Sequence, residues 1–119
     1  MTTPQTATDV AANLAHIARQ LDGAVRDLRT LDEESVRARS RFEVAFAKAF
    51  LSAAGSMDVK KQEAILATET QKLDAEIADQ KVRSQRALID SLKVRIDVGR
   101  SYGSALKAEI GLANSGMAS

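Results

Sequence analysis

The chain has 119 residues, with 17 basic and 16 acidic side chains and a net charge of +1. That length suits one domain, and the charge balance gives no global attraction to nucleic acid or membrane. With three Phe, one Tyr, no Trp and no Cys, the composition argues against an aromatic-rich globule and excludes disulfide and thiolate chemistry.

Alanine, leucine, glutamate, lysine, arginine and glutamine dominate, which favours helix and suits an elongated rod. The one proline is Pro4, so nothing after it interrupts a helix as proline does. Residues 1–8 are Thr-rich and read as a disordered N-terminus. They carry neither a basic n-region nor an apolar h-region, so no secretory leader is expected. No apolar run approaches the roughly 20 residues that span a bilayer. The expected compartment is a reducing cytoplasm.

A helix is predicted over about 9–53, with Asp9 as its N-cap. One apolar row is Leu14, Leu21, Leu28, Phe42 and Ala49. Its partner row is Val10, Ile17, Ala24, Leu31, Ala38 and Ala45. Together they form a heptad pattern with a polar intrusion at Ser35. Thr30-Leu-Asp-Glu33 has the spacing of a capping box; the kept heptad phase argues for continuity or a mild kink there. Ala54-Gly55-Ser56-Met57 is the only internal turn signal. Gly55 suits a left-handed position, and Ser56 suits the N-cap of the next helix.

The second helix is predicted over about 57–110, with 111–119 as a flexible tail. Its first half is weakly patterned, with Val59, Leu66, Leu73 and Ile77 as the larger apolar anchors. In its second half Ile89, Ile96, Gly103 and Ile110 form one row, and Leu92, Gly99 and Leu106 the other. The Gly99/Gly103 pair leaves gaps into which a neighbouring helix fits. So short a turn makes the helices antiparallel neighbours. The expected fold is all-α: a long antiparallel two-helix hairpin over 9–110. At about 1.5 Å per residue, rods of roughly 65 and 80 Å bury only one seam against each other. The apolar stripe is wider than that seam, so the hairpin is expected to assemble into a homo-oligomer. Leu14, Leu21, Leu28, Phe42, Phe46, Ile89, Leu92, Ile96 and Leu106 are the candidate interface residues.

Catalytic motifs are absent from the sequence. There is no GxxxxGK[ST] and no GxGxxG, and His16 is the only histidine, so no Ser–His pair or His-based metal site can form. No enzyme activity, cofactor or metal is expected. The basic residues are more informative. Arg86, Lys93, Arg100 and Lys107 recur at seven-residue intervals, and residues 81–107 carry seven basic and two acidic side chains. The antiparallel partner of 93–107 is roughly 3–17, which carries almost no acid, so the hairpin leaves that stripe unneutralised. A second cluster is Arg37, Arg39, Arg41 and Lys48, with Lys60 and Lys61 across the turn. Such cations can track the phosphates of a nucleic-acid strand without sequence preference. Alternatively they are flanking coiled-coil positions that pair with acids on a neighbouring subunit, and the pattern alone favours this. Phe42, Phe46 and Phe50 at helical spacing read as core at the hairpin tip rather than as a base-stacking platform.

Three segments resemble the phage recombination mediator proteins, the UvsY-like family. They are Ala45-Phe-Ala-Lys-Ala-Phe-Leu51, Gly55-Ser-Met-Asp-Val-Lys-Lys61 and Asp97-Val-Gly-Arg-Ser-Tyr-Gly-Ser-Ala-Leu106. The similarity covers roughly residues 36–110, and the heptads before residue 36 have no counterpart in it. The resemblance implies a ring-like homo-oligomer that binds single-stranded DNA and helps load a RecA-type recombinase where single-strand-binding protein already sits. It also implies that Lys48 and the Arg100–Gly103 block belong to the strand-contacting part. Two other readings compete: a coiled-coil structural or scaffold protein with no nucleic-acid role, and a helical-hairpin chaperone or adaptor.

Overall fold

A computed structural model of the chain describes residues 6–118. It contains three helices, α1 (Ala7–Ser52), α2 (Met57–Ala67) and α3 (Glu69–Ala118), and no strand among the described residues. The expectation for residues 1–5 lies outside what is described. Contacts divide the chain into two compact units. Residues up to 25 and from 87 onward belong to unit 1, and Arg26–Arg86 forms unit 2.

The start of α1 differs from the sequence expectation by one turn. Thr6 Oγ1 accepts from the Asp9 N–H at 3.0 Å, and Thr6 O accepts the first helical bond, from Val10 N, at 3.1 Å. Thr6 is therefore the cap, and Asp9 stands three residues inside, where its charge complements the free N–H groups. The helix continues unbroken through Thr30-Leu-Asp-Glu33. At its far end Ser52 Oγ donates to Lys48 O at 2.8 Å. Gly55 then takes φ +110, a conformation that L side chains rarely adopt. Ser56 caps α2 as its position predicts, accepting from Val59 N at 3.3 Å.

The predicted second helix is broken at Thr68. In an unbroken helix the Thr68 N–H would bond Ala64 O. Instead the Thr68 hydroxyl donates to that carbonyl at 2.7 Å, and its N–H moves to Ile65 O at 3.3 Å. Side-chain competition of this kind is how threonine disturbs helices, and it leaves Thr68 at φ −118, ψ 18. Lys72 N bonding Thr68 O at 3.0 Å starts α3. The C-terminal boundary also differs, since α3 runs to Ala118 rather than ending near 110. No proline interrupts it, and helical bonds propagate cooperatively once a long helix exists.

Within unit 1, Ile17, Ala24, Ile89 and Leu92 are buried. A methyl added at Gly99 would come within 2.6 Å of Leu14 Cδ2, and one at Gly103 within 3.4 Å of Val10 Cγ1. The two glycines thus give α1 side chains room against α3, as their spacing predicts.

Within unit 2 the buried residues are Ser35 and Ala38 on α1, Ala64 on α2, Thr68, and Ala78 and Val82 on α3. Ala75, Gln71 and Gln85 are half-buried. The expected anchors are not in this set: Val59, Leu66, Leu73 and Ile77 are all exposed. The reason is phase. Counting back by sevens from Ile89 reaches 82, 75 and 68. From Leu92 the same count reaches 85, 78, 71 and 64. Those small or polar positions keep the buried side. One consequence is energetic. Gln71 Oε1 is buried with no hydrogen-bond partner, at a cost of about 1–3 kcal/mol. Gln71→Leu is expected to raise stability by about 1 kcal/mol, read as a higher urea midpoint; a lower midpoint would show that the amide is satisfied in solution.

Candidate nucleic-acid interface

In unit 2, three of the predicted cations are already engaged. Arg37 meets Glu33 at 2.6 Å and Arg41 meets Glu34 at 2.8 Å. Arg86 reaches Asp32 at 3.5 Å, so it is not the unneutralised cation expected from sequence. The hydrogen bond to Glu33, and then that carboxylate's charge, raises the Arg37 guanidinium pKa above its ordinary value. Lys60 stands over the Phe50 ring, 5.7 Å from its centroid. Arg39, Lys48 and Lys61 are exposed or nearly so, with no carboxylate within 4 Å among the described residues. They do not form one surface. Arg37, Arg41 and Lys48 share a side of α1, whereas Arg39 is about 200° around from Arg37.

Unit 1 is different. Lys93, Arg100 and Lys107 are exposed on α3, and no ion pair engages any of them among the described residues. Seven-residue spacing keeps them on one side of the helix, about 10.5 Å apart. Asp97 lies four residues after Lys93 and three before Arg100, a spacing at which pairs can form, yet it approaches neither within 4 Å. Three cations in a row, none of them paired with the nearby Asp90 or Asp97 among the described residues, are suited to a polyanion.

An open groove of about 780 Å³ also belongs to unit 1, where Val10, Leu14 and Ile17 of α1 meet Val94, Val98 and Tyr102 of α3. Tyr102 is about 200° around α3 from Arg100. The groove and the cation row therefore lie on different sides of the helix, and Tyr102 does not extend the row as a stacking platform.

The expected oligomer-interface residues have mostly inward positions. Ile89 and Leu92 are buried within the chain, and Leu14, Leu21, Leu28, Phe42, Phe46, Ile96 and Leu106 are half-buried. Phe42 and Phe46 pack edge to face, with centroids 6.1 Å apart, a geometry that fills space between helices. Sequence reasoning singled out Val59, Leu66, Leu73 and Ile77 as anchors, and the structure instead leaves all four open.

No helix among the described residues is long and apolar enough to cross a membrane. No family model, curated protein or solved structure matches the chain.

Proposed function

We propose that this chain is a non-enzymatic, self-assembling helical protein that binds single-stranded DNA and acts as a recombination mediator. In this reading it helps a RecA-type recombinase onto DNA coated by single-strand-binding protein, in the cytoplasm. The observation that carries the DNA-binding part is the exposed Lys93–Arg100–Lys107 row with no acidic partner. The mediator part rests on the resemblance over residues 36–110. The architecture we infer is a hairpin with α1 antiparallel to α3. A fall of four on α1, from Leu14 to Val10, matches a rise of four on α3, from Gly99 to Gly103, which supports that direction.

The test is the anisotropy of a labelled single-stranded oligonucleotide titrated with the protein at about 50 and 200 mM salt. Each phosphate contact to a single strand contributes about 0.7 to the slope of log affinity against log salt. Three cations per chain should give a slope near −2 per bound chain. A second reading, a coiled-coil scaffold with no nucleic-acid role, draws on the ion pairs that already occupy Arg37, Arg41 and Arg86. No binding at the lower salt would select it.

A further inference from the structure

The Lys93–Arg100–Lys107 row carries groups for phosphate and none that stacks on a base. Proteins hold single strands by two means, cations along the backbone and aromatic rings against the bases. On this side of unit 1 only the first is present. All three phenylalanines lie in unit 2, and the chain has no tryptophan. The single tyrosine, Tyr102, lines the groove, about 200° around α3 from Arg100. Asn13, an amide of the kind that reads base edges, lines the same groove, and His16 lies one turn along α1 from it. The groups able to recognise a base are thus gathered on the groove side, away from the cations.

What the row does offer is donors. Ser104, also exposed, lies four residues after Arg100 and three before Lys107, on the same side of α3. Guanidinium, ammonium and hydroxyl groups all serve phosphate oxygens. The acids are unevenly placed around these donors. Asp90 and Asp97 flank Lys93, and Asp97 borders Arg100 as well. Asp22 of α1 falls opposite residue 91 in the register of Leu14 against Gly99. From 98 to 108, by contrast, α3 carries Arg100 and Lys107 and no acid. The α1 acid opposite that stretch, Asp9, lines the groove. The Arg100–Ser104–Lys107 end is therefore the most positive part of the row. We infer that the row recognises a flexible chain of phosphates irrespective of base or sugar. Inorganic polyphosphate, which has neither, is on this account a ligand of the row and displaces single-stranded DNA from it.

The inference rests on the single-strand-binding reading above and names what that surface recognises. The test uses the whole chain with a labelled oligo(dT) bound to it, followed by anisotropy at about 50 mM salt. Unlabelled oligo(dT), oligo(dA) and inorganic polyphosphate, all with the same number of phosphates, are the competitors. All three are expected to displace the label at phosphate concentrations within about threefold of one another, since backbone charge supplies the affinity. Arg100→Ala combined with Lys107→Ala is expected to weaken oligo(dT) by at least about tenfold, through loss of two phosphate contacts. Polyphosphate, titrated alone by calorimetry, should weaken by the same factor. Both side chains are exposed, so an unchanged far-UV circular dichroism spectrum is expected alongside. Oligo(dT) that binds but is not displaced by polyphosphate overturns the inference and leaves single-strand binding standing. So does a preference of tenfold or more between oligo(dA) and oligo(dT), or polyphosphate affinity unchanged in the double variant. No binding of oligo(dT) at all sinks both.

Discussion

Replacing Leu92 with aspartate is expected to destabilise the chain by at least about 4 kcal/mol and to remove much of its helical signal at room temperature. Leu92 is 3% exposed. Removing its side chain costs a few kcal/mol in lost burial, and the carboxylate that replaces it must be desolvated or protonated. Domains of this size have only about 5–15 kcal/mol of net stability. Unit 1 has few large buried side chains beyond Leu92, with Ile17 and Ile89 the others, so little else is available to offset the loss. Val94→Asp is the control two residues along: Val94 is exposed, and a surface change there is expected to stay within about 0.5 kcal/mol. Far-UV circular dichroism with a urea titration measures both. Equal midpoints for the two variants would mean that Leu92 does not face the seam.

Much of this arrangement is legible in the sequence. Both heptad rows of α1 take buried or half-buried positions throughout, including Ser35, where the side chain gives no hydrophobic signal and phase alone puts it inside. The later part of α3 reads nearly as well, because Ile89, Leu92 and Ile96 combine size with phase, although Ile110 at the end of its row is exposed. The earlier part was harder. There size and phase disagree: Leu66 and Leu73 are large and outside, while Ala64, Thr68 and Ala78 are small and inside. A reading weighted by side-chain size follows the wrong row. The break at Thr68 has only a weak local signal, since threonine is merely a mediocre helix former. What produces it is the hydroxyl's bond to Ala64 O. The cations show the same division. Their seven-residue spacing is plain, but the pairing of Arg86 with Asp32 depends on register and on the reach of a long side chain, which spacing along one helix does not specify.

The second large effect is expected at the cation row. Lys93→Glu combined with Arg100→Glu should reduce affinity for single-stranded DNA by about 100-fold near 100 mM salt and bring the salt slope from near −2 to about −0.7 per chain. The double variant removes two phosphate contacts, leaves Lys107 alone, and sets two new carboxylates beside Asp97. Stability should change little, because both side chains are exposed and neither has an ion pair to lose. Assembly should be preserved as well, since both residues are exposed and lie outside the apolar rows. Mass by light scattering and binding by anisotropy therefore separate two roles for the same charges. Lost binding at unchanged mass identifies the row as a phosphate surface. Lost mass identifies it as the flank of a subunit seam, where Lys93 and Arg100 would meet acids such as Asp22 or Asp27 of another copy. Unchanged binding and unchanged mass would remove this row from both roles and point to Lys48 and Lys61 of unit 2 as the cations to reverse next.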